Sequence, residues 1–293
     1  MQKARRFTGC LLAWILLSGI ACLTAGTAES TIRGINHRGY NRIAPENTLP
    51  AYELSKEKGF SYVETDVSFT KDGVPVLLHD STINRTARNA DGSIIRKTVN
   101  INSITYEEAL AYDFGIWKGE EYKGTKIPTL SEFLKLCRRL GLHPYIELKA
   151  NGNYTREHIH GLVDLAAEEE MTGKVTWISF DYGYLEWVRE RDPNARLGLL
   201  GTFWLTTIDF ARNVRDAKKL QTGTNEVFLD VNYITLELVP GGGRKACVNL
   251  CREAGIPLEV WTVDDELIIR NLDPYITGVT SNHLRFELYR TEQ

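Results

Sequence analysis

Short runs rich in β-branched and aromatic residues alternate with amphipathic helical patterns along most of this 293-residue chain. The first such runs lie at residues 32–36 and 60–69, and the last lies at residues 276–281. Strands that alternate with helices favour a parallel sheet, because each helix returns the chain to the start of the next strand. We count about eight βα units, which close most simply into an α/β fold of the (β/α)8 TIM barrel type.

An open, doubly wound sheet is the alternative arrangement of the same units. It is disfavoured because no Gly-x-Gly-x-x-Gly fingerprint follows the first predicted strand. Helix starts are predicted from capping residues, with Asn47 or Thr48 before the first helix and a Thr129-Leu-Ser-Glu132 capping box further along. We therefore predict a single barrel domain over residues 29–293.

Residues 81–126 interrupt this rhythm after the second strand region, and the stretch is too long for an ordinary loop. It contains several aromatic residues, among them Tyr112, Phe114 and Trp117. Aromatic side chains favour burial, so the composition predicts a small ordered insertion rather than a flexible linker.

Residues 1–28 differ in character from the rest of the chain. Lys3, Arg5 and Arg6 precede an apolar run, and no charged residue occurs from residue 7 to residue 28. This layout predicts a secretory signal peptide cleaved after Ala28, and hence an exported protein that is extracellular, periplasmic or on the cell surface. An uncleaved anchor and lipidation at Cys22 stay open as alternatives, and either would attach the protein to a membrane only through this segment.

The charge and cysteine content exclude some classes of protein. Removal of residues 1–28 changes the formal net charge from -3 to -6, which disfavours nucleic acid as a partner. The remaining cysteines, Cys137, Cys247 and Cys251, are too few for a disulfide framework in a chain of this size. A serine hydrolase of the α/β-hydrolase type is disfavoured because no Gly-x-Ser-x-Gly elbow occurs.

Three carboxylates are candidates for a metal site. Glu64 and Asp66 are two apart on a predicted strand, so they project from the same face, and Glu147 follows on the next barrel strand. Three carboxylates without a thiolate suit a hard divalent cation, Ca²⁺ or Mg²⁺, better than zinc. The alternative is that these acids are only ion-pair partners of Arg38 and Lys149.

Two histidines fall at predicted strand ends beside these acids. In a barrel the carboxyl ends of the strands form one rim, and imidazole exchanges protons near neutral pH, so His37 and His79 are candidates for acid and base. Arg38 offers a planar fork for phosphate oxygens, although it could instead pair with Glu46. Trp261 is either an aromatic wall of the substrate pocket or simple core.

The chain carries a series of short motifs in a fixed order. They are His37-Arg38-Gly39, Pro45-Glu46-Asn47-Thr48, Glu64-x-Asp66, Thr70-x-Asp72-Gly73, His79-Asp80, Ile127-Pro128-Thr129-Leu130, Glu147-Leu148-Lys149 and Trp261-Thr262-Val263. Together they resemble the glycerophosphodiester phosphodiesterases, which belong to the phosphodiesterase TIM barrels that include phosphoinositide-specific phospholipase C. The resemblance covers nearly the whole of residues 29–293.

The resemblance implies a (β/α)8 barrel in which the insertion forms a cap beside the active site. It implies hydrolysis of small glycerophosphodiesters to glycerol 3-phosphate and an alcohol, with the glycerol 2-hydroxyl attacking phosphorus and water opening a cyclic phosphate. The cofactor would be a divalent cation, with Ca²⁺ favoured by export and Mg²⁺ as the other candidate. The residues implied are Glu64, Asp66 and Glu147 for the metal, His37 and His79 for acid and base, Arg38 and Lys149 for phosphate, Trp261 for the substrate pocket and Glu46 in support.

One departure from the family pattern concerns the end of the last strand. The sequence Thr280-Ser281-Asn282-His283 lacks the acid and the proline that often occur there, so no role is assigned to Asn282. Two alternative functions stay open. One is a barrel like phospholipase C or D that acts on a lysophospholipid or a phosphoinositide, and the other is a surface binding protein without turnover.

Overall fold

The computed structural model describes residues 33–202, 206–223, 225–240 and 242–285. The predicted signal peptide at residues 1–28, its cleavage point and Cys22 lie outside these ranges. The strands are β1 Arg33–Asn36, β2 Tyr62–Phe69, β3 Pro75–Leu77, β4 His143–Leu148, β5 Thr176–Ser179, β6 Arg196–Gly201, β7 Val227–Asn232, β8 Leu258–Trp261 and β9 Ile276–Ser281. The helices are α1 Leu49–Glu57, α2 Tyr106–Ala109, α3 Leu130–Leu140, α4 Arg156–Glu168, α5 Tyr182–Arg191, α6 Thr207–Leu220, α7 Tyr233–Glu237, α8 Gly243–Ala254 and α9 Glu266–Arg270.

Every strand except β3 belongs to a closed parallel barrel. Successive barrel strands pair from β2 to β9, and β1 closes the sheet by pairing with both β2 and β9. In these pairs Ile35 lies opposite Tyr62, and Asn36 lies opposite Ser281. Strand β3 is antiparallel to the end of β2 and leads into the long insertion. The predicted (β/α)8 TIM barrel is confirmed.

The barrel strands are short and largely buried, because side chains fill the interior and helices cover the outside. Helix α3 is an example from the outer layer. It starts at the predicted capping box of Thr129 and Glu132. It ends at Gly141, whose φ of 65° is a left-handed conformation that suits glycine. Its buried face includes Phe133 and Leu134. The apolar residues packed inside the barrel are Ile35, Tyr145, Ile178, Leu200 and Phe228.

The insertion after β3 is folded around apolar residues of its own, which form a second buried cluster with Val76 and Leu78. Short helical turns at Ile101–Ser103 and Glu120–Tyr122 flank α2 within it. Nowhere in the described ranges is there a helix both long enough and apolar enough to cross a bilayer.

Asp113 ties the two halves of the insertion together. One carboxylate oxygen accepts hydrogen bonds from the backbone N–H groups of Gly115 and Ile116, at 2.8 and 2.9 Å, and the other accepts from Gly124 at 2.6 Å. Burial alone would raise the pKa of Asp113, but the three N–H groups outweigh it and lower the pKa. The charged form is therefore the one that stabilises the fold.

We expect Asp113→Asn to lower the free energy of unfolding by about 2 kcal/mol, because the new amide N–H₂ faces a backbone donor. Since the folded pKa is depressed, the stabilisation is complete above the unfolded pKa of about 3.9 and is lost as pH falls below it. Urea unfolding between pH 7 and pH 3 should thus show a shallower loss for the variant. Glu107→Gln on the exposed face of α2 is the control, and an equal effect from it would contradict the prediction.

Candidate active site

The carboxyl ends of the barrel strands surround a cavity of about 260 Å³. Most of the predicted site residues line it, and Asp66 and Glu46 contact its lining from behind through ion pairs with Arg38. The predicted residues that line it are His37, Arg38, Glu64, His79, Glu147, Lys149 and Trp261. The structure therefore brings every candidate into one place.

Glu64, Asp66 and Glu147 form an acidic cluster at this cavity, with Asp66 buried behind its lining. One oxygen from each carboxylate lies within 4.8 Å of the other two. Asp66 on β2 lies opposite Glu147 on β4 in the sheet register, and Glu64 precedes it by two positions on the same face. Parallel pairing and strand alternation are thus sufficient to gather the three side chains.

Burial sets the charge state of these acids. It raises the pKa of Glu64 well above its usual range, with a further contribution from the adjacent Asp66, and it raises the pKa of Glu147 to about 7. Asp66 is also buried, but the positive charges of Arg38 and Lys149 lower its pKa. Glu64 and Glu147 therefore retain their protons more readily than exposed carboxyl groups do, unless a further cation binds beside them.

Arg38 and Lys149 neutralise part of the negative charge of the three acids. The Arg38 Nε lies 3.2 Å from Asp66, and Lys149 Nζ lies 3.2 Å from Asp66 and 2.9 Å from Glu147. Glu64 has no lysine or arginine side chain within 4 Å among the described residues; its Oε2 accepts the backbone N–H of Arg38 at 2.9 Å. With three acids and two cations, an all-oxygen donor set of this size fits a hard divalent cation.

Asn282, to which the sequence alone gave no role, orients the ring of His37. Its Nδ1 lies 2.9 Å from Asn282 Oδ1, while the Asn282 amide nitrogen and backbone N–H both donate to Asp264. Since the amide oxygen faces the ring, His37 carries its proton on Nδ1 and leaves Nε2 free, 3.9 Å from Glu64. Burial, with the nearby charge of Arg38, lowers the pKa of His37 to about 4.

His79 is oriented by its chain neighbour. Its Nδ1 lies 2.7 Å from Asp80 Oδ1, and Arg85 Nε donates to Asp80 Oδ2 at 2.6 Å. Arg85 also binds both oxygens of Glu46, at 2.7 and 2.8 Å, and Glu46 in turn accepts from Arg38 at 2.9 Å. Arg85 belongs to the insertion, so the insertion helps to position both Glu46 and His79.

Asn47 is a second residue whose part in the site the sequence did not reveal. Thr48, not Asn47, occupies the N-cap position of α1. Asn47 instead donates from Nδ2 to Asp66 at 2.8 Å and accepts at Oδ1 from Tyr52 and Thr65, each at 3.0 Å. Its backbone has a φ of 56°, a left-handed conformation that asparagine tolerates better than most residues.

Trp261 lies at the end of β8 and forms part of the cavity wall. Its ring meets Phe180 edge to face at 5.8 Å between centroids, and its Nε1 donates to the Asp230 backbone oxygen at 3.2 Å. Ile178 and Leu200 continue this wall. The cavity therefore has a charged half beside the acids and a largely apolar half beside Trp261.

The sequence profile of the Glycerophosphoryl diester phosphodiesterase family matches residues 37–285, which span the candidate residues and nearly all of the barrel. The chain belongs to this family. A glycerophosphodiester phosphodiesterase of Caldanaerobacter subterraneus is 30% identical over 248 residues, covering 83% of this chain and 92% of that protein. A glycerophosphodiester phosphodiesterase of Bacillus subtilis is 27% identical over 265 residues, covering 85% of this chain and 83% of that protein.

Solved structures of the glycerophosphodiester phosphodiesterase family share the fold. One from Agrobacterium tumefaciens has a TM-score of 0.66 at 23% identity and covers 88% of this chain and 98% of that chain. A phosphodiesterase from Oleispira antarctica, solved with the product sn-glycerol-3-phosphate, has a TM-score of 0.67 at 23% identity, covering 86% of this chain and 93% of that chain. The predicted family, fold and enzyme class, a phosphoric diester hydrolase, are confirmed.

Proposed function

We propose that this enzyme hydrolyses glycerophosphodiesters to glycerol 3-phosphate and an alcohol, with His37 and His79 as base and acid beside a divalent cation. The observation that carries the proposal is one cavity lined by both imidazoles, Arg38, Lys149 and two acids of the three-carboxylate cluster. The product bound in the Oleispira phosphodiesterase supports the choice of substrate.

In the proposed first step the free Nε2 of His37 takes the proton of the glycerol 2-hydroxyl, whose oxygen attacks phosphorus. The bond to the alcohol oxygen breaks, and His79 donates a proton to that oxygen. In the second step a water opens the cyclic phosphate, with the two histidines exchanging roles. Arg38 and Lys149 hold the non-bridging oxygens throughout, because both project into the cavity as fixed positive charges.

We propose that Glu64, Asp66 and Glu147 hold the divalent cation, and their clustered carboxylate oxygens support this. When bound there, such a cation would orient the attacking hydroxyl and offset charge on the phosphoryl oxygens. We propose Ca²⁺ rather than Mg²⁺ because the proposed location is outside the cytoplasm, where Ca²⁺ is abundant; the oxygen ligands alone would accept either ion. Thermal unfolding of chelator-treated protein during Ca²⁺ and Mg²⁺ titrations tests this choice, and stabilisation at lower Mg²⁺ than Ca²⁺ would contradict it.

Product analysis tests the proposed reaction. The purified enzyme should convert glycerophosphocholine, glycerophosphoethanolamine and glycerophosphoglycerol to one glycerol 3-phosphate per diester, measured with glycerol-3-phosphate dehydrogenase. Release of phosphocholine and glycerol instead would show cleavage on the other side of phosphorus. Faster turnover of a lysophospholipid or a phosphoinositide would favour the phospholipase-like alternative over the proposal.

We also propose that the enzyme is exported and that its signal peptide is cleaved after Ala28. The support is the run from residue 7 to residue 28 without a charge, preceded by Lys3, Arg5 and Arg6. The intact mass of the exported protein should correspond to a chain beginning at Glu29. A mass that includes residues 1–28, or a lipid on Cys22, would contradict cleavage at this bond.

A further inference from the structure

Asp230 is a carboxyl group in the apolar half of the active-site cavity that the proposed mechanism does not use. It lies on β7, lines the cavity, and has only 2% of its surface exposed. In the sheet it lies opposite Leu200 on β6 and Glu259 on β8. An acidic residue in this wall, among Leu200 and Trp261, requires a physical explanation.

The Asp230 side chain lacks the partners that buried carboxyl groups normally have. Its Oδ1 is fully enclosed and has no hydrogen-bond partner in the part of the chain that the structure describes. Burial raises the pKa of Asp230 well above its usual range, and the nearby Glu259 adds to the shift. Burial therefore favours the protonated form of the carboxyl group, which can both donate and accept a hydrogen bond.

The ionic cluster next to Asp230 is held together without it, although Glu259 Oε2 and Arg196 Nε also have no hydrogen-bond partner among the described residues. Arg196 is the positive charge that acts on Asp230. It donates to Glu259 at 2.6 Å, to the Tyr145 hydroxyl at 2.7 Å and to Thr176 at 3.2 Å. Glu259 also accepts from Arg33 at 3.3 Å. These contacts hold the amino-terminal end of the barrel together, and Asp230 contributes no hydrogen bond to them.

A buried polar group without a partner destabilises the folded protein, so its partner is expected to come from whatever enters the cavity. The cavity of about 260 Å³ lies below the usual range of ligand sites, about 300 to 1,000 Å³, and suits a small molecule. Arg38 and Lys149 hold the phosphate in the proposed function, and His37 faces the attacking 2-hydroxyl. The remaining hydroxyl of the glycerol unit is then the group available to Asp230.

We propose that Asp230 hydrogen-bonds the terminal hydroxyl of the substrate's glycerol unit and selects diesters in which that hydroxyl is free. This assignment rests on the proposed function. It places the glycerol unit of the substrate in the apolar half of the cavity. Trp261, Ile178 and Leu200 would cover the carbon atoms, while Asp230 supplies a carboxyl group in that wall. A diester that lacks the hydroxyl would leave the carboxyl unpaired in the complex.

The experiment compares glycerophosphocholine with its deoxy analogue, in which propane-1,2-diol replaces glycerol and the terminal hydroxyl is missing. Wild-type enzyme should prefer the glycerol diester in kcat/KM by about 10- to 100-fold, the discrimination that a single buried hydrogen bond gives. Asp230→Leu should reduce this preference to less than about threefold, chiefly by lowering kcat/KM for the glycerol diester. Asp230→Asn, which still donates and accepts, should retain part of the preference.

A structural role for Asp230 predicts different results. In our proposal Asp230→Leu leaves the Tm of the substrate-free enzyme unchanged or higher, because an unpaired polar group has been removed. Asp216→Asn on α6 serves as the control for the loss of an aspartate, because Asp216 is partly exposed, pairs with Lys219 at 2.7 Å and does not line the cavity. An equal loss of activity on both diesters, together with a lower Tm, would overturn the proposal.

Two other outcomes are distinguishable. If wild-type enzyme hydrolyses glycerophosphocholine and Asp230→Leu keeps the full preference over the deoxy analogue, the Asp230 assignment alone is wrong. If wild-type enzyme hydrolyses neither diester, the proposed function fails and the assignment fails with it.

Discussion

Glu64→Gln is expected to lower kcat/KM for glycerophosphocholine by about 10³-fold. The side chain keeps its size, and its accepting oxygen can still face the Arg38 N–H. The carboxylate charge is lost, however, at the position where no lysine or arginine side chain of the described residues compensates for it. Steady-state kinetics with the cation in excess measures the effect.

A second readout separates loss of the cation from loss of folding. Wild-type enzyme should gain thermal stability when the divalent cation is added, and Glu64→Gln should gain much less at the same concentration. Glu253→Gln, on the exposed face of α8, is the matched control and should respond like wild type. Full activity of the wild-type enzyme after exhaustive chelation would refute a role for the metal.

His79→Asn is expected to reduce kcat by about 10²- to 10⁴-fold with a small change in KM, because it removes proton transfer but leaves the phosphate-holding cations in place. Asp80→Asn should cause a smaller loss, since the ring remains but its Nδ1 loses a charged acceptor at 2.7 Å. Rapid-mix or steady-state assays on glycerophosphocholine measure both effects.

The control for this prediction is His160→Asn on α4, where the ring lies 3.7 Å from Glu190 and does not line the cavity. That variant should retain wild-type kcat. Wild-type turnover by His79→Asn would exclude this residue as the acid of the first step. An unchanged Tm in all three variants shows that the losses are chemical.

The barrel was predictable because its signals are local. Alternating strand patterns and helix caps depend on residues within a few positions, so β9 lies at the predicted residues Ile276–Ser281 and α3 begins at the predicted capping box of Thr129 and Glu132. The acidic cluster was predictable for a related reason. Glu64 and Asp66 share a face by strand alternation, and parallel pairing then places Glu147 opposite Asp66.

The partners that orient the catalytic candidates were not predictable in this way. Asn282 lies 245 positions from His37, and the two meet only because β1 closes the barrel against β9. Arg85 bonds Glu46 across 39 positions, since the insertion folds back over the rim. Neither residue carries a local pattern, and Asn282 also lies where the chain departs from its family.

The order of residues along the chain was enough to specify the barrel, the acids and the two histidines, because strand period, helix caps and strand ends place side chains through short-range geometry. Barrel closure and the packing of the insertion determined which residues orient the two histidines and which carboxyl group lacks a partner. Those contacts join residues far apart in the chain, and they depend on register and burial that exist only in the folded protein. Asp230 illustrates the difference: the sequence places it on a strand among the candidates for the cavity lining, and only the fold shows that its Oδ1 lacks a hydrogen-bond partner among the described residues.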